Sequence, residues 1–226
     1  MPPPRLAEAN YSKDVKVKYT HLFWDFNGTV FADMQAGLDS TNDMLSERGL
    51  RLIDGLDEYR ELFNFPIKEY YREIGFDFEK EPYEVLAPIW VDIYNERSKS
   101  SPLVDGVLEA ISHAREAGLV QVLFSATERD MLLRQLSELG VSDCFDEVIG
   151  LDNIHAESKL HLAEKWRESH PEARVLYVGD TIHDAENAKI LGADCLLFTG
   201  GHQSRRRLSA CGCPLIDSIE KLIEYI

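Results

Sequence analysis

Basic side chains are scarce in this sequence. Its 226 residues include 24 Lys and Arg against 40 Asp and Glu, which gives a formal net charge of −16 and a pI near 4.8. Such a charge would repel nucleic acids and anionic membranes, so we expect neither as a partner. The compact basic run, 205–207, is interpreted as a solvated helix face, with a docking site as the alternative. An acidic protein that handles anionic substrates needs a cation in its site, which is a first indication of metal dependence.

Cysteines and long apolar runs are also few. The four cysteines lack the paired spacing of a zinc site: Cys144, Cys195, Cys211 and Cys213. We expect them to be reduced thiols in a cytoplasmic protein. The chain shows no apolar segment of the signal-peptide type at its start, and no later run approaches the roughly 20 apolar residues that cross a bilayer. We therefore expect a soluble protein in which residues 1–17 form a loose leader.

Apolar strands alternate with helices through most of the chain. We predict strands at 21–24, 119–124, 145–149, 174–179, 192–199 and 215–216. Helices are predicted at 104–117, 128–139, 157–169, 181–191 and from 218 onward. This alternation predicts an α/β fold with a parallel sheet, helices on both faces and right-handed crossovers.

A different pattern occupies residues 33–100. Apolar residues fall at helical spacing among many charges, so we expect an α-helical insertion, with Pro66 and Pro82 in the first turns of new helices. Its aromatic cluster has two interpretations, the insertion's own core or the lining of a substrate cleft, and we favour the core. The cluster comprises Phe63, Phe65, Tyr70, Tyr71, Phe76, Phe78 and Tyr83.

Three predicted strands end in residues that can take part in chemistry: Asp25, Ser125 and Asp180. Gly28 lets the backbone turn sharply after the first of them. Ligands of open parallel sheets bind beyond the carboxyl ends of the strands, and these ends share one edge of the sheet. A carboxylate at this edge can attack phosphorus as a nucleophile. For Asp25 taken alone, an acidic turn residue is an equal alternative.

Further candidates follow the later strands. Asp180 and Asp184 can serve Mg²⁺, which accepts oxygen ligands, or else Asp180 caps a helix and Asp184 begins its exposed face. Ser125 is either a helix cap or a phosphate ligand. Lys159, in a predicted first turn, opposes the helix dipole, although an ordinary exposed lysine is the simpler alternative. His183 is interpreted as a helix-face residue because a hard oxygen site does not call for imidazole.

In order and spacing, these features resemble the four motifs of the haloacid dehalogenase-like hydrolase superfamily. The matching stretches are DFNGTV at 25–30, the strand that ends in Ser125, Lys159, and GDTIHD at 179–184. The resemblance implies a Rossmann-like core formed by residues 18–32 and 101–226. Residues 33–100 look like the helical cap that phosphoglycolate phosphatase-like and β-phosphoglucomutase-like members insert after the first motif.

The resemblance also implies a Mg²⁺-dependent phosphatase of a small phosphorylated metabolite, monomeric or homodimeric, that works through an aspartyl-phosphate. The catalytic residues would be Asp25 as nucleophile, Lys159 as the neutralising cation, and Asn27. The metal would be held by Asp25, the backbone carbonyl of Asn27, Asp180 and, in a supporting position, Asp184. The phosphoryl group would be bound by Ser125, the amide of Ala126, Lys159, Gly28 and Thr29. Three carboxylates brought this close are tolerable only with a cation present.

One position departs from the family pattern. Phosphatases of the family carry, two residues after the nucleophile, an aspartate that protonates the leaving group and activates water, and this sequence has Asn27. A carboxamide cannot carry that proton, and general acid-base help is typically worth ~10²–10⁴-fold, so we expect slow hydrolysis of ordinary esters.

Several interpretations of Asn27 stay open. In the first, the protein is a phosphatase whose substrate has a good leaving group or whose proton comes from the cap or from water. In the second, it is a weakened member of the family that binds a phosphorylated ligand or another protein. In the third, it acts on something other than a phosphate ester. The dipeptide Asn27-Gly28 also suggests deamidation, which would restore the aspartate.

Overall fold

The structure is a computed structural model that describes residues 18–152 and 159–226. The expected leader, residues 1–17, lies outside the described residues, as does the start of the helix predicted from residue 157.

In the described residues, six parallel strands form one sheet in the order β3-β2-β1-β4-β5-β6. The strands are β1 (His21–Trp24), β2 (Val120–Glu128), β3 (Glu147–Leu151), β4 (Val175–Gly179), β5 (Asp194–Phe198) and β6 (Leu215–Ile216). The predicted parallel, Rossmann-like α/β sheet is therefore confirmed. Two strands end later than predicted: β2 continues past Phe124, because after an irregularity Glu128 pairs again with Leu151 of β3, and β3 spans Glu147–Leu151 instead of 145–149.

The helices of the described chain fall into two groups. Between β1 and β2 lie α1 (Met34–Glu47), α2 (Gly55–Leu62), α3 (Ile67–Glu73), α4 (Tyr83–Arg97) and α5 (Val107–Glu116). After β2 come α6 (Arg129–Glu138), α7 (Leu160–Ser169), α8 (Ile182–Leu191) and the short α9 (Arg205–Leu208). The closing helix predicted from residue 218 is a 3₁₀-helix, Ile219–Tyr225.

Neighbouring residues of a strand point to opposite faces of the sheet, so the contacts of β1 show what covers each face. Leu22 and Trp24 of β1 belong to a cluster with residues of α5 and α6. Phe23 between them belongs to a second cluster, with Trp166 of α7 and Leu191 of α8. The sheet is therefore covered on both sides, as the alternation of elements predicts.

The helices α1–α4 have an apolar cluster of their own. It includes Tyr59, Tyr70, Tyr71, Phe76 and Tyr83, with Phe63 and Phe78 packed against it. Most of the predicted aromatic core is therefore a packed cluster, and Pro66 and Pro82 each lie one residue before the first helical position. The division of the chain into core and cap stays a prediction.

The basic run of α9 is only partly solvated, contrary to the expectation. Arg206 is exposed and pairs with Glu61 of α2. Arg207 is half-buried and donates to the carbonyls of Glu61 and Phe63 and to Asn64 Oδ1. Local sequence could not show this, because the acceptors lie more than 140 residues away. No helix in the described ranges has the length and apolar character needed to span a bilayer.

Candidate active site

The site lies at the carboxyl edge of the sheet, where three strands end side by side. Asp25 follows β1, and its backbone N–H donates to Val178 O of β4 at 2.9 Å. Asp180 follows β4 directly, and Asp184 lies in the first turn of α8. Carboxylate oxygens of Asp25, Asp180 and Asp184 all lie within 4.8 Å of one another, and all three residues are buried.

Lys159 is a buried residue of this cluster. Its Nζ donates to Asp25 Oδ1, to Phe124 O at 2.9 Å and to Asp184 Oδ1 at 3.1 Å. Burial alone would lower the pKa of Lys159, but Asp184 and Asp25 outweigh burial and raise it, so the amine stays charged. The exposed-lysine alternative was wrong. The predicted first-turn position was also wrong, because Lys159 precedes the first residue of α7 as its N-cap.

The carboxylates carry more negative charge than one lysine neutralises. Burial, and then Asp184, raise the pKa of Asp25 well above its usual value, against the effect of Lys159. Burial raises the pKa of Asp180 to about 7, with Asp184 adding to the effect and His202 opposing it. Although burial works against it, Lys159 and Thr181 hold the pKa of Asp184 below its usual value. The cluster is therefore electrostatically suited to an additional cation.

The donor set fits Mg²⁺, because it consists of oxygens from carboxylates on the sheet edge. Asp180 Oδ1 accepts from the Thr29 hydroxyl at 3.0 Å and Oδ2 from His202 N at 2.6 Å. Asp184 is more fully engaged: Oδ2 accepts from the Thr181 hydroxyl and amide, and Oδ1 from Lys159 and the Tyr177 hydroxyl. Asp184 therefore suits a supporting position better than direct metal contact.

The helix-cap interpretations of this region were wrong. The N-cap of α8 is Thr181, whose side chain forms a capping box with Asp184, so Asp180 is free of that task. Asp184 is buried and does not begin an exposed face. At α6 the capping side chain is Glu128, which leaves Ser125 for another role. The Ser125 hydroxyl accepts from Thr127 N at 3.1 Å.

The predicted phosphate-binding residues divide into two groups. Ser125, Ala126 and Lys159 line one cavity together with Asp25. Thr29 directs its hydroxyl at Asp180 instead. Gly28 has φ +75°, and a Cβ there would lie 2.3 Å from Asp180 Oδ2, so glycine permits this close approach. The phosphate-binding roles of all five residues stay predictions.

Asn27 is held by three neighbouring side chains. Its Nδ2 donates to Asp33 Oδ2 at 2.8 Å and to the Tyr94 hydroxyl at 2.9 Å, and its Oδ1 accepts from the Thr127 hydroxyl at 2.8 Å. Both amide hydrogens and the carbonyl are therefore engaged. This fixed environment differs from the flexible chain in which Asn-Gly deamidates readily, and deamidation stays a hypothesis.

Asp33 and His202 join Asn27 to the metal-ligand candidates, and sequence reasoning missed both. Asp33 accepts from Gly28 N at 2.9 Å, from Tyr94 at 2.6 Å and from His202 Nε2 at 3.2 Å. Burial works against both charges, but the pair lowers the pKa of Asp33 and raises that of His202. The other ring nitrogen of His202 bonds the Tyr59 hydroxyl at 2.9 Å. The one feature of the sequence that could have drawn attention to His202 was the Gly200-Gly201 pair just before it, at the end of a predicted strand.

A cavity of about 140 Å³ extends from Asp25 toward α2–α4. Aromatic residues from the predicted cluster line it: Phe63, Phe65, Tyr70, Tyr71 and Tyr83. The sequence offered two interpretations of this cluster, a core of the insertion and the lining of a cleft. Most of its residues pack together, and several of them line the cavity. His183 also lines the cavity, buried and stacked on Phe65 with 5.0 Å between ring centroids, and burial lowers its pKa.

Comparison with known proteins agrees with this geometry. A family model described as haloacid dehalogenase-like hydrolase matches residues 22–198. Two phosphoglycolate phosphatases are similar in sequence. The one from Rhodobacter capsulatus is 25% identical over 187 residues, 80% of this chain and 85% of that protein. The one from Synechococcus elongatus is 24% identical over 214 residues, 91% of this chain and 96% of that protein.

The fold has close structural counterparts as well. A haloacid dehalogenase-like family hydrolase from Streptococcus pneumoniae superimposes with a TM-score of 0.79 at 15% identity, covering 92% of this chain and 98% of that one. At this low sequence identity, the structural similarity shows only that the fold is the same. The match to the family model spans most of the chain and shows the family. The chain therefore belongs to the haloacid dehalogenase-like hydrolase family.

Proposed function

We propose that this protein is a Mg²⁺-dependent phosphatase of a small phosphorylated metabolite that works through an aspartyl-phosphate. The observation that carries the proposal is the buried contact of Lys159 with Asp25 and Asp184, all three of which line one cavity. Phosphoryl transfer depends mainly on positioning and on neutralisation of charge, and this cluster supplies both. The similarity to two phosphoglycolate phosphatases supports the same reaction class.

The side chains would divide the work as follows. Asp25 would attack phosphorus through a carboxylate oxygen, while Lys159 would keep that carboxylate charged and neutralise the phosphoryl oxygens. Ser125 and the amide of Ala126 would orient the phosphoryl group. Asp25, Asp180 and the carbonyl of Asn27 would hold Mg²⁺, supported by Asp184. The bound ion would neutralise charge on the phosphoryl oxygens during transfer.

Asn27 favours a second candidate, a family member that binds a phosphorylated ligand or a protein without turnover. Its amide is engaged on all sides and cannot donate a proton to a leaving group. A cytoplasmic location and a monomeric or homodimeric state stay predictions made from the sequence.

The test is Mg²⁺-dependent phosphate release from a panel of phosphate esters and acyl phosphates. We expect Asp25→Asn to lower turnover about 10³-fold or more, because the nucleophile is lost. Asp105→Asn, which changes an exposed aspartate outside the site, is the matched control and should keep full activity.

Two outcomes would contradict the proposal. Turnover retained in Asp25→Asn would exclude the aspartyl-phosphate route. An absence of turnover in the natural protein, together with affinity for phosphorylated ligands that survives Asp25→Asn, would establish the binding protein instead.

A further inference from the structure

We propose that the leaving group of the substrate is an aromatic alcohol, so that the substrate is an aryl phosphate with no second anionic group. The inference rests on the proposed phosphatase function and specifies its substrate class. Three independent observations support it: the walls of the cavity, the charges around it and the amide at Asn27.

The walls that face the site are aromatic. Residues of α2–α4 and the segments between them supply eight aromatic rings, among them Phe63, Phe65, Trp90 and Tyr94. Trp90 stacks on Tyr94 with centroids 4.7 Å apart, and Phe63 meets Phe65 edge-on at 5.6 Å. Packed aromatic walls favour aromatic ligands, since ring pairs gain energy beyond simple area burial. The volume, about 140 Å³, resembles the roughly 150 Å³ apolar cavity that binds benzene in another protein.

The cavity offers no unengaged cation to a second phosphate or a carboxylate. Among the described lining residues, Lys159 is the single Lys or Arg, and its amine already bonds Asp25, Asp184 and Phe124 O. Both ring nitrogens of His202 are bonded, to Asp33 and Tyr59. His183 also lines the cavity, and its Nε2 has no hydrogen-bond partner among the described residues. An additional anion would therefore meet one imidazole nitrogen but no further ammonium or guanidinium group, so most of its lost hydration would not be replaced, which is costly.

The lining also disfavours a substrate rich in hydroxyl groups. Among the tyrosines that line this space, Tyr59 and Tyr94 have hydroxyls already bonded to His202 and Asp33, while the hydroxyl of Tyr70 has no partner among the described residues. Hydroxyl groups of a sugar would lose water here and gain few hydrogen bonds in return. A flat apolar ring loses nothing of this kind on entering.

Asn27 agrees with an aryl leaving group. In the first step a bond forms between an Asp25 oxygen and phosphorus, and the bond from phosphorus to the aryl oxygen breaks. The phenolate leaves with the electron pair and takes its proton from solvent. Because a phenol has a pKa of about 10, like tyrosine, its anion leaves without a general acid. Water then attacks the aspartyl-phosphate, which restores Asp25 and releases inorganic phosphate.

The first experiment compares kcat/KM for phenyl phosphate, 2-phosphoglycolate and acetyl phosphate with Mg²⁺. We expect phenyl phosphate to exceed 2-phosphoglycolate by about 100-fold, since the carboxylate of phosphoglycolate finds no cation. Acetyl phosphate has a good leaving group but no ring, so it reports on the phosphoryl site alone.

The second experiment separates pocket recognition from leaving-group chemistry. We expect Trp90→Ala to raise KM for phenyl phosphate about tenfold, a much larger change than in KM for acetyl phosphate, which has no ring to contact this wall. Val85→Ala, an exposed position on the same helix, is the matched control and should change neither. If Trp90→Ala fails to fold by circular dichroism, Phe65→Leu carries the same expectation.

The outcomes distinguish this inference from the proposed function. Turnover of acetyl phosphate with a preference for 2-phosphoglycolate would overturn the aryl substrate class and leave the phosphatase intact. Equal losses on phenyl phosphate and acetyl phosphate in Trp90→Ala would show that the ring is not recognised by this wall. No turnover of any of the three substrates would overturn the phosphatase itself.

Discussion

At the residue scale, Asn27 connects the carboxylate cluster to the helical segment. Its amide donates to Asp33, an acceptor that stays ionised because its pKa is lowered beside His202. An aspartate at this position would place a second carboxylate where Asp33 now accepts a hydrogen bond. The asparagine is thus electrostatically matched to its neighbours, whatever it costs in catalysis.

We expect Asn27→Asp to lower the free energy of unfolding by about 1–3 kcal/mol at pH 7, because two buried carboxylates would face each other. The folded-state pKa of the new carboxyl would be raised above its unfolded value of about 3.9, so the penalty grows as pH rises above that value. Urea unfolding at pH 7 and pH 4 measures both. Equal stability of the two proteins at pH 7 would contradict this account.

We expect the double variant Asn27→Asp with Asp33→Asn to recover most of that loss. The amide at position 33 would then donate a hydrogen bond to the carboxylate at position 27, which is the reverse of the natural arrangement. The double variant would also place a carboxyl two residues after Asp25, so hydrolysis of alkyl phosphates should rise about 10²-fold. Phosphate release from benzyl phosphate is the measurement. No gain in a stably folded double variant would show that general acid-base catalysis does not limit the rate.

At the scale of elements, α9 links α2 and the residues after it to the part of the chain that forms the sheet. Arg207 satisfies two carbonyl groups and the Asn64 side chain from one guanidinium. Arg60 makes a similar contact in the opposite direction, donating to the carbonyls of Gly200 and Gly201. These bonds position the aromatic walls over the carboxylates.

We expect Arg207→Ala to lower the free energy of unfolding by about 1–3 kcal/mol, since it leaves several acceptors without their donor. Arg206→Ala is the matched control, because the Arg206 side chain is 78% exposed and a surface ion pair contributes at most about 1 kcal/mol. Urea unfolding of both variants is the measurement. A larger loss in Arg206→Ala would mean that the attachment is mainly ionic.

At the scale of the whole molecule, the net charge of −16 makes a cation at the site valuable for stability as well as for chemistry. Three buried carboxylates share one lysine, and burial raises the pKa of two of them. Repulsion among these carboxylates therefore lowers the free energy of unfolding.

We expect Mg²⁺ to stabilise the folded protein, by about 2.7 kcal/mol when its concentration is 100 times the dissociation constant. Thermal unfolding with and without Mg²⁺, at matched ionic strength, is the measurement. Asp180→Asn should lose most of this stabilisation, whereas Asp105→Asn should keep it. An unfolding temperature that does not respond to Mg²⁺ in the natural protein would contradict the metal site.

The sequence by itself determined the parallel sheet and the placement of Asp25 and Asp180 at its edge. Apolar runs that end in an acid or a hydroxyl are local patterns, and parallel strands necessarily bring those ends together. Lys159 could be singled out from its unfavourable position at a helix start, but its contacts with Asp25 and Asp184 depend on the fold.

Only the tertiary structure decided what surrounds that edge. Asp33, Tyr94 and His202 meet across separations of 61 and 169 residues, and none of them belongs to a local pattern that predicts such a contact. The same holds for the aromatic walls, because helical spacing shows which side of a helix is apolar but not what lies opposite. Side-chain networks between distant segments are set by packing, and packing is a property of the whole folded chain.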